Sequence, residues 1–478
     1  MNETNSGNLP GKLEFYGGRW MVFVPFILAL IGLIYIASRN ANIPEYWVIF
    51  LLPIVLGILL AKNREAYSQA VIRGLMDPLV AIMVMALTLA GVAGSLLSQS
   101  GVIGTLAVYT AEAHLTGSLF TFVTFLLTCL VAFATGTSVG TILTVGPILY
   151  PVGCLLGANP AFLIGAIVSG GAFGDNLAPV SDTTIASATT QEMDIGGVVR
   201  SRLKYSLPAA GISALLYLLI PEKGTLPLIG GIEKFTQKAE PLSLLMLLVP
   251  IVIVVLCFMR RHLVTALSCG VITGLVVGLI TGIFKPSDIV SVPQQFGAGG
   301  VVLDGINNAI PTVLFVLMIF PLINILREGG GLEIILNGLS KIVKTPRGAE
   351  TAIVSSEIVL NAATGVNTVA IVATGELANK LGKRYNIHGY RRANLLDCAG
   401  ATFNYILPYM VPVLMGTMLS TANKPFPEAL PVAPIQISIS EFYPWVMLII
   451  LIISILTGYG RTFMSDSASQ VTPKIETN

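Results

Sequence analysis

An aspartate at position 175 stands inside a long apolar stretch, in the run Gly174-Asp175-Asn176-Leu177-Ala178-Pro179-Val180-Ser181-Asp182-Thr183-Thr184. A carboxyl in such surroundings costs at least about 2.5 kcal/mol on membrane-insertion scales and marks a place where an ion or a proton is handled. Hydroxyls and amides also interrupt apolar stretches at Ala134-Thr135-Gly136-Thr137-Ser138 and at Thr364-Gly365-Val366-Asn367-Thr368, and again around Gly400. Thr135, Thr137, Ser138, Gly171, Asp175, Asn176, Ser181, Asp182, Thr364, Asn367, Thr368, Gly400, Thr402 and Asn404 therefore offer hydroxyl, amide, carboxylate and backbone oxygens, the ligand set of a small hard cation such as Na⁺. Asp175 is the residue expected on the ion. A carboxylate that takes either H⁺ or Na⁺ makes the two compete, and competition at a site reached alternately from each side is exchange. The plain alternative is that the hydroxyls bond back to their own helical turns and the glycines permit close packing.

Asp175, Asp182, Glu357 and Asp397 form the expected proton-coupling set. Ser181-Asp182 precedes Thr183-Thr184-Ile185 and equally suits the cap of a second half-helix. Glu357 and Asp397 either carry protons or pair with Arg391 or Arg392.

Such residues need elements that hold them at depth. Runs long enough to cross a hydrocarbon core of about 30 Å occupy 20–37, 46–61 and 78–98, with an interfacial segment at 63–77. The block 118–156 is cut at Thr135 to Ser138 and reads as a re-entrant hairpin; 161–190 reads as a helix broken over 170–184; 207–220 follows. The order then recurs as 242–259, 263–284, 306–326, a hairpin at 349–381, a broken helix at 393–419 and a last span at 443–456. A slide of 229 residues lays Ala134-Thr135-Gly136 on Ala363-Thr364-Gly365, Gly171-Ala172 on Gly400-Ala401, Pro179 on Pro408, and Asp175 on Asn404. Matches that fall on the interruptions point to duplication. Each half has five crossings plus one hairpin, an odd number, so the halves are expected to be inverted. The chain divides into an N-terminal tail at 1–19, a first repeat at 20–221, a connector at 222–240, a second repeat at 241–457 and a C-terminal tail at 458–478. With both tails inside, 21 of the 27 Lys and Arg fall on the cytoplasmic side.

Composition sets the class. Of 478 residues, 54% are hydrophobic and 11% charged, with mean hydropathy +0.82, against about 25% charged in soluble domains. That points to an all-α polytopic membrane protein, expected in the inner membrane, and excludes a water-soluble enzyme or a nucleic-acid binder. Cys129, Cys154, Cys257, Cys269 and Cys398 lack Cys-x-x-Cys spacing, and His114, His262 and His388 fall at expected helix ends, so no cofactor is expected. The run 20–37 is too long for a signal sequence and is taken as the first membrane helix.

The segment Gly174 to Thr184 resembles the Gly-Asp…Pro-x-Ser-Asp-Thr-Thr signature of the NhaC family of Na⁺/H⁺ antiporters. The inverted halves and paired hairpins are similar to the wider ion-transporter superfamily. The resemblance implies a secondary transporter exchanging Na⁺ for H⁺, with Asp175 beside bound Na⁺, the hairpin tips and broken helices in a mobile domain, and an elevator movement against a homodimeric scaffold in the lipid bilayer. After Pro408 the chain departs from the family pattern with Tyr409-Met410-Val411-Pro412. A second site carrying Tyr405 and Tyr409 would suit a small organic solute, so the alternative is a Na⁺-coupled carrier of an amino acid or organic carboxylate. Ala172-Phe173-Gly174-Asp175 is also one residue away from the Gly-x-Gly-Asp of intramembrane aspartyl proteases. No Tyr-Asp pair supplies a second catalytic acid, so an enzyme is not expected.

Overall fold

In an apolar interior every backbone N–H and C=O must find a partner within the protein, and a helix satisfies this locally. The computed structural model describes residues 13–37, 43–113, 117–220, 240–292, 297–340, 343–422 and 431–464, and these are helical throughout, with three isolated bridges and no strand. The expected connector at 222–239, most of the N-terminal tail, the C-terminal tail beyond 464 and His114 lie outside the described residues. Eight described helices are long and apolar enough to cross a membrane, or nine when Pro434–Ser440 and Phe442–Thr457, bent by 54°, count as one. The chain is an all-α polytopic membrane protein.

The helices pack in two groups. Phe23–Ala37, Ile43–Gly57, Arg64–Leu75, Pro78–Gln99, Leu248–Phe258, Leu263–Ile280 and Val301–Glu328 form one. Its centre is the crossing of Pro78–Gln99 and Val301–Glu328. A Cβ on Gly91 would lie 2.3 Å from the Gly305 carbonyl oxygen, so glycine is what lets the two backbones touch. The interfacial helix Arg64–Leu75 joins them: Asn63 caps it by accepting from the Ala66 N–H at 3.0 Å, and Arg73 is clamped by Glu328.

The second group holds both interrupted hairpins and both broken helices. One hairpin is Gly117–Thr135 and Ser138–Leu155; the other is Pro346–Thr364 and Asn367–Arg384. Their broken partners are Pro160–Leu177 with Asp182–Thr190, and Gly389–Ile406 with Val411–Ala422. Ile195–Leu219, Pro434–Ser440 and Phe442–Thr457 pack beside them.

Two expectations are corrected here. The first break is not spread over 170–184: the chain stays helical through Leu177, and only 178–181 leaves the helix. Gly170 and Gly174 are there for close approach, since a Cβ on Gly174 would lie 2.2 Å from Ala132 Cβ and 2.4 Å from its carbonyl carbon. The break falls at Ala178, extended at ψ 129° because Pro179 follows it. Secondly, the span expected at 207–220 begins at Ile195, which carries Arg202 inside the fold rather than into a loop. Arg391 and Arg392, also counted with the cytoplasmic loops, are 2% exposed.

Candidate functional site

Asn159 caps Pro160–Leu177, accepting from the Ala161 N–H at 2.9 Å, and the helix delivers Asp175 to its last turn. The hairpin tip folds over the break beside it: Gly136 has φ +69°, and a Cβ there would meet Val180 Cγ2 at 2.5 Å and the Ser181 nitrogen at 3.1 Å. Thr137 caps the second arm by accepting from the Gly140 N–H at 3.3 Å. The first residue of that arm, Ser138, then turns both its donors on Asp175, the backbone N–H at 3.1 Å to Oδ1 and the hydroxyl at 2.6 Å to Oδ2. The positive end of a helix thus points at the carboxylate.

A third donor comes from the other half of the chain. The Tyr405 hydroxyl, near the end of Gly389–Ile406, donates to Asp175 Oδ2 at 2.6 Å. The Asp175 carbonyl oxygen accepts from Thr183 Oγ1 at 2.9 Å across the break. Asp175 is buried, 8% exposed, and belongs to no ion pair among the described residues. A buried carboxylate with neutral donors alone is uncompensated, and a proton or a cation would compensate it.

Asp182 is exposed at the start of the second half-helix, with Ser181 in the cap position. Its Oδ1 accepts from the Thr183 N–H at 3.0 Å, and its Oδ2 accepts from Thr368 Oγ1 at 2.6 Å. The two hairpin tips are therefore both tied to the first break, one through Ser138 and one through Thr368. Gly171 faces Ser138, whose Cβ would lie 3.2 Å from a Cβ on Gly171.

Asp397 does not pair with Arg391 or Arg392. Arg202, 0% exposed, reaches it at 2.5 Å and also donates to the Asn176 carbonyl oxygen, to Thr184 Oγ1 at 3.0 Å, to Ser187 Oγ at 3.1 Å and to Asn394 Oδ1 at 3.2 Å. Asn176 links this knot to Asp175, its amide nitrogen donating to Asp397 Oδ1 at 3.2 Å and its Oδ1 accepting from Ser206 at 2.6 Å and Tyr443 at 2.9 Å. Arg391 instead binds Glu350, which Arg461 also holds, and Arg392 binds Gln191. Glu357 pairs with neither arginine. It is buried in the second hairpin opposite Thr374 and belongs to no ion pair among the described residues.

The remaining expected residues divide. Asn367, at the second tip, accepts from Asn361 at 3.1 Å, and a Cβ on Gly400 would lie 1.9 Å from its Oδ1. Asn404 is buried next to Tyr405. Thr135 meets Thr141 at 3.0 Å, Thr364 bonds the Val366 carbonyl at 3.2 Å, and Thr402 bonds back to the Ala399 carbonyl at 2.6 Å. Thr402 thus bonds back to its own turn, as in the plain alternative, whereas Thr135 and Thr364 bond across or into their tips. Arg202 was absent from the expected set, and Tyr405 was expected on an organic solute rather than on Asp175. Tyr405 carried one signal, its place next to the repeat partner of Asp175. A small cavity beside the second tip is lined by Gly74, Asp77, Asn324, Arg327, Thr364 and Val366.

The sequence pattern of the Na⁺/H⁺ antiporter family matches residues 15–220 and 233–460. Among similar proteins is the Na⁺/H⁺ antiporter NhaC of Alkalihalophilus pseudofirmus, 25% identical over 81% of this chain and 88% of that protein. NhaC of Bacillus subtilis is 22% identical over 82% and 88%. The malate-2H⁺/Na⁺-lactate antiporter of Bacillus subtilis is 27% identical over 51% and 52%.

Proposed function

The chain belongs to the Na⁺/H⁺ antiporter family, and from that premise we propose that it exchanges Na⁺ for H⁺ at Asp175. The observation that carries this is the buried Asp175 carboxylate with three neutral donors and no cationic partner. Na⁺ and H⁺ are both substrates here. With Asp175 protonated the site is neutral. Na⁺ entry displaces the proton, and the Ser138, Thr183 and neighbouring backbone oxygens replace water around the ion. Arg202 keeps Asp397 neutralised, so Asp397 anchors Asn176 beside the ion rather than competing for it. Glu357, without a cationic partner, is the further candidate for carrying a proton.

Two halves of inverted topology, with the hairpins and broken helices moving against the group built on Pro78–Gln99 and Val301–Glu328, would give alternating access by an elevator-like motion. A homodimer in the inner membrane with both termini cytoplasmic accords with this reading. Each net charge moved is worth about 2.3 kcal/mol per 100 mV, so stoichiometry decides whether the cycle senses voltage.

A second reading is Na⁺-coupled transport of an amino acid or organic carboxylate. The malate/lactate relative agrees with it. Tyr405 and Tyr409 do not support it as expected, because their hydroxyls are engaged by Asp175 and by the Ala362 carbonyl oxygen at 2.8 Å.

The test is calorimetric Na⁺ titration of purified protein in two buffers of different ionisation enthalpy. Buffer-dependent heat, reporting proton release on Na⁺ binding, is expected for the parent and is absent in Asp175→Asn. Na⁺ binding without proton release contradicts the proposal.

A further inference from the structure

Glu441 lies outside the Asp175 centre and has no part in the exchange just described. It is the residue at which Pro434–Ser440 turns by 54° into Phe442–Thr457, with φ −85° and ψ 81°. Its side chain is 0% exposed, and neither carboxyl oxygen has a hydrogen-bond partner among the described residues. An ionised carboxylate without donors or a counter-charge is untenable in such a place, so the packed junction holds the acid in its neutral form.

The junction is clamped by neutral groups. The Tyr217 hydroxyl donates to the Ser440 carbonyl oxygen at 2.8 Å, accepts from the Phe442 N–H at 3.2 Å and meets Ser169 Oγ at 2.9 Å. A Cβ on Gly165 would lie 2.3 Å from the Ser440 carbonyl oxygen, so the turn rests directly on the helix that carries Asp175. Ten residues separate Gly165 from Asp175, about 15 Å along the axis. The turn therefore sits toward the end of that helix away from the break.

The titratable groups on the surrounding helices leave Glu441 without a counter-charge. Tyr217 faces it from Ile195–Leu219, and Cys129 stands near Tyr217 on Gly117–Thr135. Val411–Ala422 carries no ionisable side chain. Asp397 on Gly389–Ile406 is matched by Arg202, and on Pro346–Thr364 Glu350 is matched by Arg391 and Arg461, while Glu357 is itself an acid. Two residues beyond Glu441, Tyr443 donates to Asn176, so movement of this turn is transmitted to the neighbour of Asp175.

We propose that Glu441 is a second proton-carrying carboxyl of the transport cycle, sealed and released by the helix junction it occupies. When the junction packs as described, the acid keeps its proton; when the junction opens to one side of the membrane and water enters the turn, the proton leaves to that side, and a proton taken up from the opposite side restores the neutral acid. This rests on the antiporter reading for its place in a cycle, but the protonation change itself is measurable without transport.

The experiment is infrared difference spectroscopy of Na⁺-free protein in nanodiscs, in the Asp175→Asn background, following the C=O stretch of protonated carboxylic acids with pH and in D₂O. The expected result is a band that exchanges with deuterium, fades as pH rises and is missing in Glu441→Gln. Protons moved per Na⁺ in proteoliposomes, with Asp175 intact, should also fall by a whole proton in Glu441→Gln. If Glu441→Gln does not fold, Tyr217→Phe, which loosens the clamp, should speed deuterium exchange of the same band. A band that ignores pH, an exchange rate unmoved by Tyr217→Phe, or an unchanged number of protons per Na⁺ in Glu441→Gln overturns the proposal. Failure of Na⁺/H⁺ exchange in the parent would strike the Asp175 reading while leaving the infrared result to stand or fall alone.

Discussion

Arg202 ties the two broken helices of the second group to each other, and removing it gives the sharpest test of how they are held together. Its guanidinium bonds the Asn176 carbonyl, Thr184 and Ser187 on the first broken helix and Asn394 and Asp397 on the second. Arg202→Met leaves Asp397 fully buried with only two neutral donors, Asn176 and Ser187, each at 3.2 Å. Breaking a buried pair from one side costs about 3–5 kcal/mol, roughly two to four powers of ten in the ratio of folded to unfolded protein. Much of that cost is the stranded charge, so Arg202→Met combined with Asp397→Leu should recover at least about 2 kcal/mol of the summed single losses. Reversible unfolding in mixed detergent micelles, followed by tryptophan fluorescence, measures all four corners of the cycle. Single losses that add to within about 0.5 kcal/mol would refute the coupling.

Tyr405→Phe removes one of three donors to Asp175, a charge-assisted bond worth about 1.5–3 kcal/mol, so half-saturating Na⁺ at fixed pH should rise at least about tenfold in a flux titration. Gly74→Ala should destabilise the first group by about 1–3 kcal/mol, because the new methyl would sit 2.6 Å from Pro321 Cα. Gly211→Ala, with nothing within 4 Å, should raise the melting temperature of the purified protein slightly in a thermal-unfolding scan. Glu350→Gln strands two arginines and should cost about 3–5 kcal/mol in unfolding, whereas Lys62→Met at the exposed Glu14 pair should cost under about 1 kcal/mol.

Much of this was legible in the sequence because apolar length and interruption are local properties. Thr135 to Ser138 and Thr364 to Thr368 marked the two tips, and both breaks fall at a proline, Pro179 and Pro408, whose ring excludes the preceding residue from the helix. Asp175 stood out because its cost in an apolar stretch is high wherever the fold puts it. The glycines misled, because glycine permits a helix to be approached as readily as it permits one to unwind, and only the partner surface, here Ala132 and Thr128, decides which. The partners were not legible: Arg202 meets Asp397 across 195 residues, and Tyr405 meets Asp175 across 230. Glu441 was missed for another reason. It stands at the edge of an apolar run, where an acid looks like a surface residue until the short helix Pro434–Ser440 folds back over it.

The measurement that bears most directly on the central claim is proton movement in proteoliposomes carrying an internal pH dye. Na⁺ is added alone, with no organic solute, to the parent and to Asp175→Asn. The account predicts Na⁺-driven proton flux in the parent and none in the variant. A parent that moves no protons, or a variant that moves them as well as the parent, would contradict it.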